Sequence, residues 1–160
     1  MLSHEHLHNL QMELARQVAA LPIRREADGS VRVLLVTTRE TGRWVIPKGW
    51  PWPDCEDCLS AAQEAREEAG VLGRVQSRPL GSFVYEKRRS SGAELVRADV
   101  YVVEVTSLLD SWPEQDERQR AWFTLEDASN VVSDHELREL LQALTVANFH
   151  TSSTDARKSA

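Results

Sequence analysis

The chain predicts a single mixed α/β domain, and three observations carry that expectation. Apolar, β-rich runs recur between turn signals, an Ala- and Glu-rich helix lies between Glu56 and Ala69, and an amphipathic helix follows near the C-terminus. A length of 160 residues suits one core. Apolar residues at 41% and charged residues at 28% are ordinary globular usage, so disorder is not the default. The formal charge of −6 argues against a nucleic-acid polymer as partner, because binding its backbone usually takes a concentrated basic surface. No run reaches the roughly 18 apolar residues of a membrane span, and no secretion signal opens the chain. The expected compartment is the cytoplasm.

The elements follow in order. Residues 1–15 read as an N-terminal arm, either a short helix or a loose segment, and its alternating His4, His6 and His8 suit a solvated, frayed end. Gln17 to Arg25 and Val31 to Thr38 are strands, joined at Asp28-Gly29 as a hairpin. Trp44 to Ile46 is a short third run, stopped by Pro47 and followed by a Gly-, Pro- and Trp-rich loop from Lys48 to Asp54. The helix from Glu56 to Ala69 has acidic residues in its first turn and meets Gly70 at its end. Leu59, Ala62, Ala65 and Ala69 form its modest apolar stripe, whose small residues permit close approach to a sheet. Pro79 to Lys87 and Glu94 to Thr106 are a second strand pair, linked by the polar residues 88–92. Ala121 to Thr124 is short and aromatic. Ser133 to Glu136 form a capping box ahead of Leu137, Leu140, Leu141 and Leu144. Residues 16–150 make the domain, and 151–160 read as a disordered tail.

Chemistry concentrates on the first helix. Glu64, Glu67 and Glu68 stand at i, i+3 and i+4, neighbours on one helical face. Like charges gathered there repel unless a cation offsets them, and Mg²⁺ is the hard cation that suits carboxylates while keeping waters and bridging to phosphates. On spacing alone, a solvated surface helix explains the same pattern.

The context separates the two readings. From Gly49 to Val71 the chain resembles the Nudix signature, Gly-x5-Glu-x7-Arg-Glu-apolar-x-Glu-Glu-x-Gly-apolar, with every gap kept. Cys55 stands where that family usually has Glu, and Gln63 where it has Arg. Arg43 to Gly49 and Arg120 to Ala128 are similar to segments of the diphosphoinositol polyphosphate and diadenosine polyphosphate hydrolases. That resemblance, running from about Arg16 to Leu144, implies an α/β/α sandwich around a mixed, curved sheet. It also implies a Mg²⁺-dependent hydrolase of phosphoanhydride bonds, with Mn²⁺ a possible substitute. Glu64, Glu67 and Glu68 would bind the metal, joined by a backbone carbonyl of Lys48 or Gly49. Arg16, Arg43, Lys48, Arg118 and Arg120 would hold a small polyphosphorylated substrate, arginine's planar fork being suited to phosphate. The general base would be Glu67, Glu86, Glu114 or Glu117. Trp50, Trp52 and Trp112 either stack on a nucleobase or cap the core. The protein would act as a monomer or homodimer.

Two further readings compete. A Nudix-fold module that binds or senses a nucleotide without turnover rests on Cys55 and Gln63. A metal or redox role for the Cys55-x-x-Cys58 pair lacks the other half of a zinc site.

Overall fold

The computed structural model describes Ser3, residues 14–146 and residues 156–158. The histidines of the expected arm lie outside the described residues. β1 (Ala15–Arg25) turns at residues 26–30 into β2 (Val31–Thr37), and the two pair antiparallel with Ile23 opposite Val33, the expected hairpin. β3 (Trp44–Val45) adds to β2. Two residues of the expected loop, Lys48–Gly49, instead form β4 against β1. Helix α1 (Asp57–Ala69) follows as expected.

β5 (Val71–Gln76), β6 (Gly81–Arg89), β7 (Gly92–Leu108) and β8 (Arg120–Thr124) complete the main sheet. β1 runs parallel to β7 from Ala15 opposite Val96 to Ile23 opposite Glu104, while the other pairings are antiparallel. The sheet is therefore mixed, as the resemblance implied. The polar linker expected at 88–92 is largely absorbed into the hairpin, since β6 runs to Arg89 and β7 begins at Gly92.

Both faces of the sheet are covered, and the alternation of side chains along each strand decides what covers them. Residues Gln17 to Ile23 are all buried. Val18 and Ala20 of β1 join Leu34 and Val36 of β2 and the α1 residues Cys58, Ala61, Ala62, Ala65 and Ala69. Leu21 and Ile23 face the other way, with Val33 and Leu35, onto Leu137, Leu141 and Leu144. Those leucines belong to the expected amphipathic helix, α3 (His135–Val146). The small residues of α1 let its backbone lie close to the sheet, which brings its polar face near the ends of β1, β3 and β4. Cys58 is part of this packing and 2% exposed, so its thiol serves as a small apolar group and is poorly placed for redox exchange.

Besides β4, three elements were not anticipated: β5, a helix at Leu125–Val131 and a strand at Ala156–Lys158. β5 carries Gly73 and Arg74 between its apolar residues and so lacks a clean alternation, yet it pairs with β7 through a register shift at Leu72/Gly73. Helix α2 (Leu125–Val131) starts at Thr124, whose hydroxyl accepts the Asp127 N–H at 3.0 Å, a capping arrangement that the aromatic run before it obscures. The expected capping box at α3 is also used differently. Glu136 accepts the N–H of Val84 on β6 at 3.1 Å, fastening the helix to the sheet. In the segment read as a disordered tail, Ala156–Lys158 form β9 on the open side of β5, where unpaired backbone groups offer partners. The rest of that tail lies outside the described residues. No helix among the described residues is long and apolar enough to cross a membrane.

Candidate active site

Gly70 ends α1 with a left-handed φ of 65° and donates its N–H back to the last turn. A side chain there would also strike the Arg120 guanidinium at 2.7 Å and the Trp112 ring at 2.9 Å. Trp112 donates its indole N–H to the carbonyl of Glu68 at 3.1 Å, and Arg120 lies over the Trp112 ring at 3.8 Å while donating to the carbonyls of Ala69 and Leu109. This clamp fixes the C-terminal end of α1, and with it the carboxylates one turn earlier.

Those carboxylates face a cleft of about 640 Å³ whose lining includes Glu64 and Glu68. Glu68 is 4% exposed. Its Oε2 accepts the Lys48 N–H at 3.2 Å, and its Oε1 lies 3.4 Å from Arg118 Nη2. Arg118 also donates to Glu114 at 2.9 Å and to the carbonyl of Thr37 at 3.0 Å, so one buried guanidinium ties α1 to the segment before β8 and to the end of β2. Burial pushes the Glu68 carboxyl up to about 8, against the opposing pull of Arg118 and Lys48. Burial raises Glu64 as well, and it lowers the Lys48 ammonium despite the attraction of Glu68.

The lysine side chain lies over the Tyr85 ring at 4.6 Å, and the Tyr85 hydroxyl donates to the buried Gln17. Arg39 and Arg43 from the β2–β3 connection and Lys87 and Arg88 from β6 add positive charge to the lining. Glu86, Glu114 and Asp134 add carboxylates to the lining.

Of the residues singled out in the sequence, Glu64, Glu68, Arg43, Lys48, Gly49 and Arg118 meet at this cleft. Glu67 lies on the same helix but not in the lining, and its carbonyl accepts the Glu114 N–H at 3.1 Å. Arg16 is elsewhere, paired with Asp57 at 2.7 Å and Asp99 at 3.2 Å, and Arg120 is occupied in the clamp on α1. Among the expected bases, Glu86 and Glu114 line the cleft, while Glu117 stands 3.8 Å from Arg39 outside it. Trp50 lines the cleft and is 41% exposed, whereas Trp52 and Trp112 spend their indole N–H groups on α1. Gln17, Tyr85, Lys87, Arg88 and Asp134 were missed. They come from distant elements, and no spacing in the chain announces them.

The donor chemistry fits a hard divalent cation. Glu64 and Glu68 are desolvated carboxylates one helical turn apart; the charge of Glu64 disfavours ionisation of Glu68, while a hydrogen bond from Glu68 favours ionisation of Glu64. Among the described residues no three His, Cys, Asp or Glu side chains form a ready cage. Mg²⁺ does not require one, since it is ordinarily held by one or two carboxylates, water and substrate phosphates.

Comparison with known proteins places this geometry. The chain matches the family model of the NUDIX domain over residues 14–144. It belongs to the Nudix family. A diphosphoinositol polyphosphate phosphohydrolase 3-beta from Bos taurus is 34% identical over 140 residues, covering 85% of this chain and 81% of the relative. Among solved structures, a Caenorhabditis elegans Ap4A hydrolase aligns with a TM-score of 0.59 at 19% identity, covering 84% of this chain and 98% of that one. The NUDIX domain of Shewanella oneidensis NrtR, complexed with ADP ribose, aligns with a TM-score of 0.60 at 18% identity, covering 92% and 99%. At such identities these structures establish the Nudix fold. The family match and the relatives named as phosphohydrolases make the chain a Nudix pyrophosphohydrolase.

Proposed function

We propose that this Nudix protein hydrolyses a phosphoanhydride bond in a small polyphosphorylated molecule, a diphosphoinositol polyphosphate or a dinucleoside polyphosphate such as diadenosine polyphosphate. The reaction depends on Mg²⁺, with Mn²⁺ able to replace it, and takes place in the cytoplasm. The observation that carries this reading is a cleft lined both by the α1 carboxylates Glu64 and Glu68, the second of them buried, and by the cations Arg39, Arg43, Lys87 and Arg88.

Glu64, Glu67 and Glu68, with a carbonyl of Lys48 or Gly49, are the residues that would hold the metal. Bound there, Mg²⁺ would polarise a phosphoryl oxygen and offset charge as the bond breaks. Arg43, Lys87 and Arg88 draw in and orient the phosphates, and Lys48 adds a further cation. Arg118 holds Glu68 in place and favours its ionised form against the effect of burial. Glu86 and Glu114 are the expected bases that line the cleft, and either would serve by taking a proton from water. Trp50 is 41% exposed, with the Arg89 guanidinium 5.7 Å over its ring, and a nucleobase stacking on this aromatic group would favour the dinucleotide class. The curated relatives support the diphosphoinositol class.

A panel of diadenosine polyphosphates, diphosphoinositol polyphosphates, ADP-ribose and nucleoside triphosphates, assayed for product with Mg²⁺ and with EDTA, tests the reading. Product from one of the first two classes, released only with metal, supports it. Binding of a nucleotide with no product from any substrate would favour the sensing module that Gln63 and Cys55 suggest.

A further inference from the structure

We infer that Trp52 is a positioning residue for Glu64: its indole N–H holds one carboxylate oxygen and so presents the other toward the divalent cation. The inference rests on the reading of Glu64 as a metal ligand. Its own support is a stitched loop. Trp52 Nε1 donates to Glu64 Oε1 at 3.0 Å, and the Trp52 backbone N–H donates to Ser60 Oγ at 2.9 Å. Ser60 and Glu64 are four residues apart on α1 and so lie one above the other on the same face. One loop residue is thereby tied to the helix at two successive turns.

Backbone also closes on the carboxylate. A Cβ placed on Gly49 would come within 2.4 Å of Glu64 Cδ, 2.5 Å of Oε1 and 2.6 Å of Oε2, so bare backbone packs against the whole group. Pro51 and Pro53 flank Trp52 and restrict the loop between these two contacts. Glu64 is left few places to go.

Core packing does not account for Trp52. The residue is 38% exposed and belongs to neither apolar cluster. What it contributes is a donor. An indole N–H has no acceptor capacity and no accessible charge change, so it can orient a carboxylate without competing for the cation. A hydrogen bond to an ionised oxygen is roughly twice as strong as a neutral one. Partners of this kind, one step removed from the metal, typically set affinity by about 10- to 100-fold.

The test uses the full chain, with Mn²⁺ as the probe. Trp52→Phe keeps the ring and removes the donor, and calorimetry should show Mn²⁺ binding weakened about tenfold with the thermal midpoint little changed. Undiminished affinity in Trp52→Phe overturns the inference. A second readout does not depend on that variant being well folded. The indole N–H signal of Trp52, assigned among the five tryptophans, should move in wild type when Mg²⁺ is added and in Glu64→Gln without metal. A signal that stays put under both changes also overturns it. Failure of the parent reading looks different: Glu64→Gln would then keep wild-type Mn²⁺ affinity and turnover, and Trp52 would have no ligand to position.

Discussion

The two sides of the cleft are built on opposite terms. On the α1 side Glu68 is buried, Glu64 is half-buried, and both are tied: Glu68 to Lys48 and Arg118, Glu64 to Trp52, and the helix end to Trp112 and Arg120. On the other side Arg39, Arg43 and Arg88 stand largely in solvent. Burial makes each ionised group on the first side costly and therefore dependent on a partner. Exposure makes each cation on the second side inexpensive to keep and inexpensive to replace. The lesson is a division of labour in which the rigid side carries the bond-breaking chemistry and the exposed side selects the molecule.

The largest effect that would break this comparison is removal of Arg118, which is 11% exposed at its side chain and meets both Glu68 and Glu114. Arg118→Met should lower stability by about 3 kcal/mol, because it strands a buried carboxylate, and should depress turnover as well. Chemical denaturation and steady-state kinetics check both.

A smaller effect concerns pH. The native state raises the Glu68 carboxyl from its ordinary 4.5 to about 8, so the folded protein keeps a proton that the unfolded chain releases. That contribution is fully present below about pH 4.5 and is lost as pH rises through about 8. Lys48, whose ammonium burial disfavours, contributes in the opposite sense below its ordinary range. Metal-free protein should therefore lose stability from Glu68 across this window, added Mg²⁺ should restore it, and Glu68→Gln should flatten the dependence. Thermal midpoints at stepped pH, with and without Mg²⁺, measure it.

The exposed side should behave otherwise. Arg43→Ala combined with Arg88→Ala should raise KM about tenfold, with kcat and stability little changed, since exposed charge pairs with phosphate are individually modest. Smallest and most selective is Trp50→Ala, which should raise KM several-fold for a dinucleoside polyphosphate through lost base stacking, on the order of 1 kcal/mol, and leave an inositol substrate untouched.

The same contrast governs what could be read in the chain. The β1–β2 hairpin, α1 and α3 were legible because apolar periodicity and turn residues mark them locally. β5 was not, because Gly73 and Arg74 break its alternation and its place is set by pairing with β7 and β9. Helix α2 was missed although Thr124 and Asp127 carried a cap signal. At the site, Glu64 and Glu68 share one helix, and their spacing displays them. Asp134, Tyr85, Lys87 and Arg88 reach the cleft from the approach to α3 and from β6, a convergence that only the sheet's topology creates. Arg16 and Arg120 had the right chemistry for phosphate but are committed to Asp57, Asp99 and backbone carbonyls. Residue type announces what a side chain can hold, and folding decides what it meets.

The most direct test of this division is the turnover and substrate binding of Glu68→Gln, measured with saturating Mg²⁺ on whichever substrate the wild type hydrolyses. The structure predicts that turnover falls by about 10³-fold, several kcal/mol of lost charge stabilisation, while the substrate still binds through the exposed cations. Wild-type turnover in Glu68→Gln would contradict the assignment of the chemistry to the buried side of the cleft.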